Sequence, residues 1–248
     1  PDGEDGETRA TVISGQSGEL GGVPSIGCQF ADGRFGSGLR IVNAPPKWSL
    51  EVLRDDWKAD AALIWSWMPK AQADQHGWPL PLFHDSELDL PRMNATYHEA
   101  GVRTCTYMGY LGIGAPTRWS RQFGYEWRRE PVSSQPSEPP GGHVFLDCCG
   151  QAQGYADYMA EGAKWIVEEL GFDGCYTDGN AHAYPCQNTH HGCGYYDEAG
   201  TLHYTWPVLA TREYLKRMYK IIKAHNPDGY LVNHVSYNLL IPTMSFTD

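Results

Sequence analysis

Positive charge is what this sequence has least of: 19 Lys and Arg stand against 30 Asp and Glu, for a net charge of −11 over 248 residues. That balance repels a phosphate backbone and leaves no basic stripe, so nucleic acid and anionic membrane surfaces are poor partners. Neutral or cationic ligands fit better. No run approaches the ~20 apolar residues of a membrane span, and no basic-then-apolar signal opens the chain. Repeats of fixed period and low-complexity tracts are absent too. What remains is 41% hydrophobic, with 28 Gly and 17 Pro. That composition excludes disorder and collagen-like structure, and suits one large α/β domain or one domain plus part of a neighbour.

Aromatic side chains are plentiful, with nine Trp and fifteen Tyr. Flat rings on a polar chain suit stacking against the apolar faces of sugars, and they equally suit a core. The chain begins at Pro1 without Met, and its last residues read as a strand arriving at its end, so it is expected to be a fragment.

The rhythm changes near Pro45 and Pro46. Before it, short apolar runs at 10–13 and 39–42 are separated by Gly, Ser and Asp, which predicts that residues 1–45 are the C-terminal part of a β-sandwich. After it, strand and amphipathic helix alternate, the mark of βα units and a parallel sheet. The expected fold for 46–248 is therefore a (β/α)8 TIM-type barrel truncated after its sixth strand. The six strands are expected at 61–65, 102–107, 143–147, 174–178, 229–233 and 242–248. Tyr155, Met159, Ala163, Ile166 and Leu170 recur at helical spacing, with Gly171 as the left-handed stop. Leu209, Tyr214, Leu215, Met218, Ile221 and Ile222 form a second stripe, closed by residues 226–229 (NPDG).

Barrel chemistry concentrates where strands end on the C-terminal rim. Asp178 is such a residue: 171–178 (GFDGCYTD) runs from helix stop through strand to a strand-top acid, although Asp-Gly by itself also makes a plain turn. Glycosidic cleavage commonly needs two carboxyl groups. Asp248, at the end of the sixth expected strand, is the candidate partner, with a solvated chain end as the bland reading. Around them, Asp147, Asn233 and His234 end strands and suit sugar hydroxyls, as do Tyr176, Asn180 and His182 on or after the fourth strand. Trp65, Trp67 and Tyr110 suit a hydrophobic wall.

The segments 171–179 (GFDGCYTDG), 185–195 (PCQNTHHGCGY) and 206–213 (WPVLATRE) resemble bacterial glycoside hydrolase-like proteins related to family 123. The resemblance covers roughly residues 40–248, with the β-sandwich those proteins carry before the barrel. It implies a sugar-cleaving barrel acting on galactose- or N-acetylhexosamine-type sugars. A nucleophile on the fourth strand and an acid/base on the sixth also resembles the α-galactosidase-like barrels, with Asp178 and Asp248 in those places. One departure is that family 123 enzymes use an adjacent Asp-Glu pair, whereas Gly179 follows Asp178. Asp197 and Glu198 are adjacent, but their surroundings read as a turn between two short extended pieces.

The loop after Asp178 gathers His182, Cys186, His190, His191, Cys193 and His203. Three readings stand side by side: a Cys186–Cys193 disulfide in an exported, secreted or periplasmic protein; zinc held by both cysteines with one or two histidines; and free thiols. Adjacent Cys148 and Cys149 point to opposite faces of a strand, and Cys28, Cys105 and Cys175 read as small buried hydrophobes. The expected mechanism is attack by Asp178 on the anomeric carbon with Asp248 as acid and then base, without cofactor or metal. A metal-dependent barrel hydrolase and a non-catalytic carbohydrate-binding barrel are the alternatives.

Overall fold

The computed structural model describes residues 8–13, 25–30, 40–43, 50–56, 59–64, 89–109, 111–115, 118–131, 144–179, 181–234 and 240–248. In chain order the elements are β1 (Thr8–Ile13), β2 (Ser25–Phe30), β3 (Arg40–Asn43), β4 (Ala61–Ile64), α1 (Leu90–Glu99), β5 (Arg103–Tyr107), β6 (Gly112–Ala115), α2 (Arg118–Trp127), β7 (Val144–Asp147) and α3 (Gln153–Glu168). They continue with β8 (Gly174–Asp178), β9 (Tyr195–Tyr196), β10 (Leu202–His203), α4 (Val208–His225), β11 (Tyr230–His234) and α5 (Ile241–Met244). Short π- and 3-10-helical turns occupy Val52–Asp56 and Thr189–His191.

Strands β3, β4, β5, β8 and β11 lie side by side and parallel, in the order in which they occur in the chain. A parallel neighbour has to be reached by a crossover, and α1, α3 and α4 lead into β5, β8 and β11. This is a mixed α/β fold with a parallel sheet.

Both helices read from periodicity form. Tyr155, Met159, Ala163 and Ile166 of α3, with Tyr214, Leu215, Met218 and Ile222 of α4, pack in one buried cluster against Cys175 and Leu231 of the sheet. Each fully buried Ile, Leu or Met contributes roughly 1.5–3 kcal/mol through area removed from water. Gly171 has φ +73°, so the chain turns out of α3 where an L side chain would be strained. Asp89 caps α1 by accepting the Arg92 N–H, and Pro91 sits in the first turn, where no backbone donor is needed.

Two expectations need correction. Residues 143–147 do form a strand over Val144–Asp147, but β7 pairs antiparallel with β6 in a separate two-stranded sheet. Residues 242–248 are not a strand: α5 takes up Ile241–Met244, with Pro242 in its first turn and the Ser245 hydroxyl bonding to the Ile241 and Pro242 carbonyls. A short apolar run cannot by itself separate helix from strand. Strand β3 joins β1 on one side and β4 on the other, with Ile41 opposite Ala61. No helix among the described residues is long and apolar enough to cross a membrane.

Candidate active site

Alternation along a strand sends successive side chains to opposite faces. On β8, Cys175 goes to the helix side, whereas Tyr176 joins Ala61, Leu63, Cys105, Tyr107 and Tyr230 on the other face. Asp178 follows Tyr176 by two, so it stands on that second face at the C-terminal end of the strand. His234, in register opposite Asp178 on β11, shares the face.

The carboxylate of Asp178 is held from both neighbouring strands. The Tyr107 hydroxyl at the end of β5 donates to Oδ2 at 3.1 Å, and His234 Nδ1 lies 3.2 Å from Oδ1. The backbone is pinned as well: Asp178 N–H donates to the Gly109 carbonyl and Gly179 N–H to the His234 carbonyl. Tyr107 and Tyr176 stack beneath, with centroids 5.8 Å apart. The Asp178 side chain still keeps 30% of its surface exposed. A carboxylate held between a donating tyrosine hydroxyl and an imidazole, on an aromatic floor and still partly exposed, can attack an electrophilic carbon or accept a proton.

Neighbouring groups respond to this charge. Burial, and then the Asp178 charge, push the Tyr176 phenol up. Burial pulls His182 below its ordinary value, with Asp178 opposing and His234 reinforcing the shift. The His182 N–H donates to the Gly179 carbonyl, and Gly179 itself has φ +64°, which lets the chain turn directly after the acid.

Other expected site residues are placed differently. Asn233 takes the helix-side face, where its Oδ1 accepts the Thr177 hydroxyl at 2.8 Å, so it is not beside Asp178. Asp147 ends β7, outside the parallel sheet, and pairs with Arg129. Asp248 pairs with Lys223 at 2.8 Å and accepts the Leu231 N–H, while its own N–H donates to the Leu231 carbonyl. Tyr230 N–H points to β8, so the next residue turns both backbone groups to the other edge. Asp248 therefore covers the outer edge of β11 at the level of Leu231, three residues or about 10 Å short of His234 along the strand. The structure does not bring it to Asp178. Trp65, Trp67, Tyr110 and Asn180 lie outside the described residues. Asp197 sits in the turn of the β9–β10 hairpin, where its carboxylate accepts the Ala199 and Thr201 N–H groups and meets His203.

One feature escaped the sequence, and another was legible only in part. Tyr107 ends an expected strand, and the strand-end rule that singled out Asp178 applies to it equally. The second is a buried cluster of Cys149, Cys186, His191 and Cys193, whose sulfur and ring nitrogen atoms all lie within 4.8 Å of one another. All four belong together, and the described cysteines are free thiols, so the Cys186–Cys193 disulfide does not form. Cys148 joins the main core instead, as strand alternation requires. Hydrogen bonds from Cys149 and Cys193 pull the Cys186 thiol well below its usual range. Burial opposes charge on His191, but Cys186, Cys193 and the Glu126 carbonyl outweigh it and raise His191 to about 10.

A shallow depression of about 470 Å³, lined by His98, Phe172, Asp173 and Asn226 among others, lies at the opposite end of the strands. His98 and Asp173 are spent on each other there, 2.7 Å apart. The rim around Asp178 is the better candidate.

No protein-family model and no curated protein matches the chain in sequence. Solved structures match in fold. Trehalose-6-phosphate hydrolase of Bacillus licheniformis is 13% identical, with a TM-score of 0.52 over 77% of this chain and 40% of that one. Cycloisomaltooligosaccharide glucanotransferase of a Paenibacillus species, complexed with cycloisomaltoheptaose, is 14% identical, with a TM-score of 0.50 over 78% of this chain and 29% of that one. A family GH13_31 enzyme is 13% identical, with a TM-score of 0.50 over 75% and 42%. This chain thus spans well under half the length of each. At such identity the likeness is one of fold. The family 123 resemblance has no counterpart among these three.

Proposed function

We propose that the chain is the Asp178-bearing part of a glycoside hydrolase barrel, with Asp178 as the catalytic carboxylate. The observation that carries this reading is the strand-end carboxylate oriented from both sides by Tyr107 and His234 and open to solvent on the face away from the helices. The solved structures that share the fold include a hydrolase and a transferase of sugars, which supports carbohydrate as the substrate class.

In the proposed reaction, an Asp178 oxygen forms a bond to the anomeric carbon as the glycosidic C–O bond breaks, and the leaving oxygen takes a proton from an acid on the rim. Water then hydrolyses the glycosyl ester. Tyr107 and His234 hold the carboxylate in its attacking orientation. A retaining pair has carboxyl groups about 5 Å apart, whereas Asp248 is committed to Lys223 and Leu231. We therefore assign Asp248 to the edge of β11 rather than to acid/base catalysis. Galactose- or N-acetylhexosamine-type sugars remain the proposed substrates, on the resemblance of the motifs alone.

The test is hydrolysis of aryl galactosides and N-acetylhexosaminides by the full-length protein and its Asp178→Asn and Asp248→Asn variants. Loss in the first with retention in the second is expected. Unimpaired hydrolysis by Asp178→Asn removes Asp178 as nucleophile, and glycan binding without turnover by the parent protein favours a binding barrel.

A further inference from the structure

The Cys149, Cys186, His191 and Cys193 cluster stands apart from the proposed chemistry and has its own geometry. Cys149 and Cys193 sulfurs are 3.8 Å apart, nearly twice the ~2.05 Å of a disulfide. With metal–sulfur bonds of ~2.3 Å and tetrahedral angles, two sulfurs around one zinc stand about 3.8 Å apart. His191 Nε2 is 3.3 Å from the Cys186 sulfur, close to the sulfur–nitrogen edge of the same tetrahedron. The other ring nitrogen, Nδ1, lies 2.6 Å from the Glu126 carbonyl, an arrangement that orients a metal-binding imidazole and leaves Nε2 as the ligand atom. The Asn188 N–H points at the Cys186 sulfur from 3.5 Å, as suits a thiolate.

We propose that these four side chains bind one zinc ion, and that the site is structural. Four protein donors close a tetrahedral sphere and leave no position for water or substrate, and the three cysteines are almost fully buried. Three thiolates and one imidazole are soft donors, which suit zinc and not magnesium or calcium. The expectation of a metal-free chain is revised accordingly, and so is that of a metal-dependent hydrolase built on this loop.

The ion's work is to clasp distant segments. Cys149 follows β7 and donates its N–H to the Trp127 carbonyl at the end of α2. Cys186, His191 and Cys193 lie on the loop that leaves Asp178, and Cys186 exchanges two backbone bonds with Thr205 beyond the β9–β10 hairpin. One zinc thereby ties the loop after β8 to β7, α2 and the hairpin.

The proposal is tested on full-length protein purified without chelator from zinc-supplemented medium. Elemental analysis is expected to give about one zinc per chain, falling about tenfold or more in Cys186→Ala and Cys149→Ala, while Cys175→Ala, a buried cysteine outside the cluster, keeps its metal. His191→Cys is expected to retain zinc. Should the alanine variants fail to fold, the parent protein still decides the matter. Cobalt exchanged into it must show thiolate-to-metal charge transfer and tetrahedral d–d bands, and its cluster thiols must resist alkylation until chelator is added. Parent protein with no stoichiometric metal, with iron in place of zinc, or with a disulfide between any two of Cys149, Cys186 and Cys193 overturns the proposal.

Discussion

Asp173 and Asp178 bracket the two ends of β8, and they are handled in opposite ways. Asp173, 11% exposed in its side chain, is saturated: Oδ2 meets His98 and accepts the Thr104 N–H, and Asn226 Nδ2 donates to Oδ1 at 3.4 Å. Its backbone bonds to Thr104 on one side and Tyr230 on the other. Asp178, 30% exposed, is held by two side chains that touch one oxygen each. The first arrangement locks β5, β8, β11 and α1 together, while the second aims a carboxylate and leaves it reachable. On the proposed function, this matches the division between stabilising and reactive rims in parallel barrels.

The comparison breaks most visibly at Asp178. Asp178→Asn is expected to lower kcat/KM for an aryl glycoside roughly 10³-fold or more, with the melting temperature nearly unchanged. Next comes the stability end. Asp173→Asn should cost about 2–3 kcal/mol in urea unfolding while kcat/KM stays close to the parent value, since the hydrogen bonds lost are to a charged, largely buried acid. Equal damage to activity would mean that the two ends are not separate. Removing one donor is smaller: Tyr107→Phe should reduce kcat/KM about tenfold, the effect of one hydrogen bond of ~1.4 kcal/mol in the transition state.

The smallest effect is in pH dependence. Burial lowers the His182 pKa in the folded protein, so the folded state binds fewer protons than the unfolded one between that lowered value and about 6.5. The neutral ring's contribution is complete above about 6.5 and is lost as pH falls toward the lowered value. His182→Gln should flatten that stretch of the stability–pH curve, as measured by urea midpoints. A curve that keeps its slope would move the effect to another group.

Much of the sheet was legible because its signals are local. The runs at 61–65, 102–107, 174–178 and 229–233 appear as β4, β5, β8 and β11 within a residue or two, and Gly171 closes α3's exit as its position implied. The last apolar run was misread because seven residues hold neither period long enough to distinguish them. Asn233 stands apart from Asp178 for a different reason: a strand end is not one place, because adjacent residues there face opposite sides. The metal cluster was half visible. Its loop members stand within a few residues of one another, but Cys149 lies far back in the chain, where its spacing signals nothing beyond its neighbour Cys148.

By itself the sequence determined which segments become parallel strands and helices, because hydrophobic period and turn residues act over a few positions. It also determined that Asp178 terminates a strand. Only the tertiary structure decided which acids keep company. Strand alternation and register bring Tyr107 and His234 to Asp178. The open edge of β11 draws Asp248 away, and packing gathers Cys149 with a loop distant in the chain. Such meetings depend on how elements pair across space, and side-chain chemistry of this kind works only over distances of a few ångströms.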